Sequence, residues 1–376
     1  TLGVERIGVE GAKIALAIAD DGRANWQALL PKSATSSATD VIPPKAESSP
    51  AAATAVPSSA GSPWRLTLGR FEANEMALSF SDRRAPSAIA MTLGQAKLGL
   101  GIAMEAGPQG ISGTLSDFMF STGAFAADRF GDKFGVQSLR VMLSTLNLNT
   151  VVDQPRVGIE QLKFDVSSAI GATGKQAVRV DRMAFDVRDI DIAIDKAMST
   201  VSALTINDPM FEAQGLGLTG DSSKPMVALK SVALGAKQVR AELGLKPQIS
   251  ADVVRTALAA LVVHESDDKA VAARLGKLEA TGGHASSSTR SVEFERIVLA
   301  DGYASASYTA DGRLNWDRLI AQFTPTSAAN ASTATRIEPN PTSRAWNIAA
   351  KVVEMDNFGA AYADARQQPP LAVAVR

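Results

Sequence analysis

The chain has 376 residues, and its 38 Lys and Arg stand against 39 Asp and Glu, so no net field exists to hold nucleic acid or to steer an acidic substrate. Cysteine is absent, which excludes disulfides, thiolate zinc sites and cysteine nucleophiles together. No apolar run approaches the roughly 20 residues of a membrane-spanning helix, and the alternating end Leu371, Val373 and Val375 reads, like Thr1, as a cut through a longer protein, with any signal or anchor segment expected outside these residues.

This length would ordinarily predict two or three domains, but the sequence repeats itself. Residues 1–30 read as the end of one repeat unit, because 5–30 recur as 295–320 at an offset of 290. Within them Asp21-Gly22-Arg23-Ala24-Asn25-Trp26 matches Asp311-Gly312-Arg313-Leu314-Asn315-Trp316. The Asp-Gly pairs predict tight turns, and Asn25 and Asn315 are expected to cap short helices over 26–30 and 316–323, ended by Pro31 and Pro325. Next comes 31–63, where 25 of 33 residues are Ala, Ser, Pro or Thr, a composition that predicts a disordered loop. The match then resumes at an offset of 282, with Trp64 over Trp346, Glu72 over Glu354, Phe80 over Tyr362 and Asp82 over Asp364.

A central β-repeat region is expected over 64–293, followed by the second copy of the 5–30 element at 294–323. A shorter disordered loop at 324–342 and a truncated second copy of 64–86 at 343–376 complete the plan. Outside the loops the dominant period is two, the mark of strands with one buried face. It runs through Leu66 and Leu68; Met76, Leu78 and Phe80; and Leu98, Leu100, Ile102 and Met104. It returns in Leu139, Val141 and Leu143, then Leu162, Phe164 and Val166, then Met183, Phe185 and Val187, and again in Ile190, Ile192 and Ile194. Such a sheet is expected to be antiparallel. A further helix is predicted at 251–263, with Ser250 as cap and Val253, Leu258, Leu261 and Val262 on one face.

The motifs that could carry chemistry are incomplete. Gly215-Leu216-Gly217-Leu218-Thr219-Gly220 spells a dinucleotide fingerprint, but a turn at 221–225 comes next where the motif needs a helix, so glycines in a strand end are the better account. Gly174-Lys175 lacks the first glycine and the final Ser or Thr of a phosphate loop. The two histidines, His264 and His284, have no flanking ligand cluster. Asp186, Asp189, Asp191 and Asp195 could be calcium ligands, yet their spacing beside alternating isoleucines predicts a solvated strand face. We therefore expect no catalytic residues, no metal and no cofactor.

The positive signal is the quantity of one-sided sheet. If its apolar faces closed on each other they would form a sandwich, giving a structural or adhesion-like scaffold with a closed core. If the sheet curled into an open trough, the eighteen alternating residues from Leu66 to Val187 named above would line a groove that only lipid could fill without a large hydration cost.

The Asp-Gly-Arg-x-Asn-Trp element, the Pro/Ala/Ser-rich insert, Trp64-Arg65-Leu66-Thr67-Leu68-Gly69-Arg70-Phe71 and Leu78-Ser79-Phe80-Ser81-Asp82-Arg83 together resemble AsmA-like proteins of Gram-negative envelopes, in the branch described as a domain of unknown function. The middle, about 110–280, matches in texture rather than motif. The resemblance implies an elongated, taco-like β trough similar to bridge-like lipid transfer proteins, anchored in the inner membrane and projecting through the periplasm. Its partners would be phospholipid and a membrane at one or both ends, its role lipid transport and outer-membrane biogenesis. The family offers no catalytic residues to carry over. Ala365 replaces Arg83 and Asn347 replaces Arg65 in the second copy, so these arginines are given no recognition role.

Overall fold

The computed structural model describes residues 1–26, 63–84, 88–129, 131–151, 154–174, 176–195, 200–220, 225–244, 246–265, 270–323, 345–367 and 369–375. The loops expected at 31–63 and 324–342 thus lie almost wholly outside the described residues, as do 27–30 of the first predicted helix. The described chain is nearly all strand. It opens with β1 (Leu2–Glu10), β2 (Lys13–Ile18), β3 (Trp64–Asp82), β4 (Ile89–Gly107), β5 (Gly110–Thr122), β6 (Ala124–Arg129) and β7 (Asp132–Asn149). The middle holds β8 (Arg156–Thr173), β9 (Gln176–Asp195), β10 (Thr200–Thr219), β11 (Pro225–Gly235), β12 (Gln238–Glu242) and β13 (Gln248–His264). The last part holds β14 (Val271–Ser286), β15 (Ser291–Tyr308), α1 (Asn315–Phe323), β16 (Asn347–Asp356), β17 (Gly359–Asp364) and β18 (Leu371–Val375).

All 18 strands belong to one sheet. Four pairs of short strands, β1 with β2, β5 with β6, β11 with β12 and β16 with β17, lie end to end against shared long neighbours. Across the sheet the order is then the order of the chain, each long strand beside the next. Chain neighbours pair because a short turn can join antiparallel strands.

Two junctions depart from the antiparallel expectation: β1 and β2 run parallel to β3, and β16 and β17 run parallel to β15. The sheet is therefore mixed. At each junction the chain must return to the end it started from, and the long connection that opens at the Asp-Gly turn supplies that crossover.

Among the described residues no second sheet lies over either face; strands make extensive contact only with their hydrogen-bonded neighbours, and α1 touches β15. A closed sandwich is not what forms. Burial follows from this single layer: the buried hydrophobic residues are mostly alanines, and Val187, fully covered, is the one large side chain below 2% exposure among the described residues.

The helix predicted at 251–263 is instead β13, paired with β11 and β12 on one side and β14 on the other. The reason is visible in the backbone, since Val253 and Ala260 take positive φ, 52° and 50°. At Val253 β13 gains a residue on β14, and at Ala260, where β13 stays in step with β11 and β14, the positive φ interrupts the alternation in place, so apolar side chains on one face fall three apart instead of two and imitate a helical spacing. Leu258 and Leu261 are such a pair, opposite Leu278 and Leu275. Similar bulges, at Glu75, Gln95, Asp117, Ser168, Asp189 and Asp208 among others, recur in most of the long strands.

Gly215 explains the dinucleotide-like spelling. It sits inside β10 at φ 62°, where a Cβ would collide with the Asp181 carboxylate, so glycine is required by the strand itself.

Val253 is a β-branched residue in the left-handed region, where the cost is about 1–2 kcal/mol. It is half exposed at 53%, so little packing opposes its replacement. Val253→Asn is expected to stabilise the chain by roughly 1 kcal/mol, read as a higher denaturant midpoint at unchanged slope; a lower midpoint would show that no strain is stored there.

Candidate functional site: an uncovered apolar face and its two clips

Cross-strand partners in a sheet point to the same side, so register decides which residues share a face. The predicted lining residues pair with one another. Leu66 faces Met104, Leu68 faces Ile102, Leu78 faces Leu93 and Phe80 faces Met91. Leu139, Val166 and Met183 form one row, Val141, Phe164 and Phe185 a second, and Leu143, Leu162 and Val187 a third. Leu98 joins Phe120, Leu100 faces Phe71, and Met76 faces the buried Ala96. All eighteen therefore lie on one face, although their positions in sequence change phase between groups. The bulges make this possible: two residues of β3, Gly69 and Arg70, stand between Leu68 and Phe71 while β4 advances by one, so both apolar side chains keep the same side.

One row crosses almost the whole sheet. It runs Val9, Ala73, Leu98, Phe120, Val141, Phe164, Phe185, Phe211, Leu234, Thr256, Ala280, Ile297 and Val353, each opposite the next. Thirteen strands at about 4.8 Å per step make a path of roughly 58 Å, broken by a single polar residue, Thr256. Small residues on this face are covered across most of the sheet, Ala73 and Ala213 at 1%, Ala280 at 3% and Val166 at 4%, whereas larger ones at the margins stand open, Ile7 at 41% and Val353 at 56% exposed. With no covering layer, only neighbours on the same face can shield a side chain, and those near the edge have fewer of them. Val166, Ala169, Val180 and Ala213 form the tightest cluster, with Leu139, Met183 and Phe211 against it.

Sequence reasoning missed Phe71, Phe120 and Phe211 as members of this face. In each case a bulge or a strand break nearby disturbs the alternation that would have shown them.

The two parallel junctions are built alike, and the repeat accounts for it. Asn25 accepts a hydrogen bond from the Ala17 amide at 2.9 Å and donates to the Ala15 carbonyl at 2.8 Å. Asn315 does the same with Ser307 N and Ser305 O, 3.1 and 3.3 Å. The asparagines thus extend the strand edge like a peptide group, and Asn315 stands at the start of α1 where its cap was expected, while 27–30 of the first helix lie outside the described residues. Asn315 is only 3% exposed and also donates to Glu265 at 2.7 Å. Trp316 Nε1 donates to the same Ser305 carbonyl at 2.8 Å, which seats the helix on β15.

A buried carboxylate closes each junction. Asp82 pairs with Arg84 at 2.6 Å and Asp364 with Arg366 at 2.8 Å. Both arginine stems pass beside the turn glycine, Gly22 or Gly312, each at φ 81°. Arg366 also lies over the Tyr308 ring, 3.9 Å from its centre. It is Arg84, one place beyond the Arg83 weighed in the sequence, that recurs. A second repeated pair ties the parallel strands together: Arg6 with Glu72, and Arg296 with Glu354 at 2.6 Å. Hydrogen bonds from these guanidinium groups hold Glu72, Asp82, Glu354 and Asp364 below the usual carboxylate range, Asp364 most of all.

Of the remaining candidates, His284 Nδ1 lies 2.7 Å from Asp252 on exposed strands, and His264 ends β13. Asp186 and Asp191 are joined to Lys163 and Arg156 at 3.4 Å each, while Asp189 occupies a bulge. No group of three or more metal-ligating side chains converges among the described residues. No helix among them is long and apolar enough to cross a membrane. No family model, curated protein or solved structure matches the chain.

Carboxylates held low in the folded state add stability that is present above their unfolded values near pH 4 and is lost as pH falls through the folded values. The double variant Asp82→Asn/Asp364→Asn is expected to be less stable than the parent at neutral pH. Between about pH 5 and pH 3 it should lose less stability than the parent, measured by denaturant titration. Parallel losses in the two proteins would show that these clips contribute nothing to the acid sensitivity.

Proposed function

We propose that the chain is a segment of an AsmA-like, periplasmic envelope protein whose apolar face shelters or conducts phospholipid between the envelope membranes, in support of outer-membrane integrity. The observation that carries this reading is the thirteen-strand apolar row with no layer over it among the described residues. An apolar face in water costs about 25 cal/mol for each Å² left wet. A sheet wide enough to expose it over roughly 58 Å gains most from an occupant that is itself long and apolar. Acyl chains have that shape, and they need no directional partner on the face. Strands of up to 20 residues, such as β9 and β10, also give such an occupant a surface that is long in the strand direction.

The charges lie elsewhere. The row adjacent to the apolar one alternates to the opposite face and carries Arg140, Asp165, Glu212 and Glu279. A lipid on the apolar face would leave its headgroup at the open side, which makes the site selective for chains rather than heads. In this reading no bond is made or broken. A closed-core scaffold would need a second layer over the row.

The test is lipid retained by the purified chain. Prepared without detergent, it is expected to carry phospholipid detectable by mass spectrometry of a solvent extract. Leu100→Asp, on a half-buried position of the face, should cut the bound lipid severalfold while leaving the strand signal in circular dichroism intact. A parent protein free of lipid would overturn the proposal, and unfolding by Leu100→Asp would favour a sealed interior.

A further inference from the structure

The opposite, polar face carries a feature that the lipid reading does not use. Across β2, β3, β4, β5, β7, β8 and β9 it is hollowed into a concavity of about 1300 Å³. Six strand steps make this hollow roughly 29 Å long. Lys13, Lys97, Arg140, Lys163 and Arg182 line it. Two of the five are neutralised, Lys163 by Asp186 at 3.4 Å and Arg182 by Asp165 at 2.6 Å. Asp165 stands directly opposite Arg140 in the register, but its carboxylate is engaged by Arg182. Arg140 is therefore left without an ion pair among the described residues, as are Lys13 and Lys97.

Two of these three cations share one row across the strands, and Lys13 lies two to three residues further along, level with Gly94 and Gln95. Lys97, Ser121 and Arg140 follow one another through β4, β5 and β7, and Lys13 sits on β2, two strands from β4. All three occupy alternate strands; Lys97 and Arg140 are about 10 Å apart, and Lys13 is reached by a path that also slants along the strands. We propose that this concavity docks an extended, net-acidic polypeptide segment that lies across the strands. Three residues of extended chain advance about 10 Å, so carboxylates at every third position would meet the cations in turn.

The other anionic partners fit less well. Glu75, Asp165 and Asp186 share the hollow and would repel a uniform polyanion such as nucleic acid, whereas a polypeptide can place neutral or basic residues over them. A planar membrane surface cannot follow a concave wall. Past Asp165 the same row reaches Glu212 by way of Ala184, so the field changes sign along the path and would fix the direction of the bound segment.

The proposal is independent of lipid binding and is tested with a labelled synthetic peptide of about twelve residues, Glu at every third position and Ser and Thr between. Fluorescence anisotropy with the full chain at low salt is expected to show saturable binding, lost as ionic strength rises past the range where exposed charges are felt. The double reversal Lys97→Glu/Arg140→Glu should weaken it at least about tenfold, and the milder Lys97→Gln/Arg140→Gln severalfold, with circular dichroism confirming the fold. Lys230→Glu, an exposed residue of β11 outside the hollow, and Leu100→Asp on the apolar face should leave peptide binding unchanged. Absence of saturable binding, undiminished binding by both Lys97/Arg140 double variants, or equally tight binding of a single-stranded DNA oligomer would overturn the proposal.

Discussion

Everything in this molecule depends on keeping the apolar side chains of very long strands on one side of a single sheet. A strand of 18 to 20 residues, as in β8, β9 and β10, cannot hold a strict two-residue alternation and also twist and bend with its neighbours. Bulges resolve the conflict. Each resets the phase so that the next apolar side chain returns to the same face, some by an inserted residue, as at Glu75 and Val253, and some in step with the neighbouring strands, as at Ser168 and Ala260. The residues that occupy these positions are mostly Asp, Asn, Gln, Glu, Ser or Gly, several of which tolerate positive φ or can hydrogen-bond locally. Asn357 continues the pattern in the second copy, where it stands over Glu75 of the first, and Asp301 stands over Gly11.

This arrangement makes a core of an unusual kind. In a sandwich each apolar side chain meets partners from a second sheet; here it meets only neighbours of its own layer. Alanines and valines become buried because larger neighbours overhang them, as Val187 is covered beside Leu162 and Phe185, while Phe164 stays 36% exposed. The face is ordered by its own residues and still open on the side away from the backbone. An open face of that extent is the physical basis for proposing an apolar occupant, and the thickness of one sheet separates the apolar row from the charged concavity.

The crossover clips serve the same end. Parallel pairing gives slightly weaker ladders than antiparallel pairing, and both parallel junctions are reinforced by a buried Asp with its arginine and by an Arg and Glu pair across the strands. That the same bonds recur at offsets of 290 and 282 means one local solution was used twice for one topological problem. Each clip combines a side-chain amide that imitates a strand edge, a turn glycine and a carboxylate held ionised.

Strand content, the repeat and the eighteen residues of the apolar face were legible in the sequence because each is a local pattern: alternation over a few residues, or a motif kept in register across a gap. The sequence also marked Asp82, Asp364, Asn25 and Asn315 as repeated positions, without saying what they bind. What only the tertiary structure decided is whatever depends on two strands at once. β13 looked helical because bulges at Val253 and Ala260 changed its spacing, and only pairing with Leu275 and Leu278 shows which side Leu261 and Leu258 face. The parallel junctions, the continuity of the row from Val9 to Val353 and the gathering of Lys13, Lys97 and Arg140 on one face arise between residues far apart in the chain. Periodicity fixes the side of a residue relative to its own strand. The hydrogen-bond register between strands fixes it relative to the sheet.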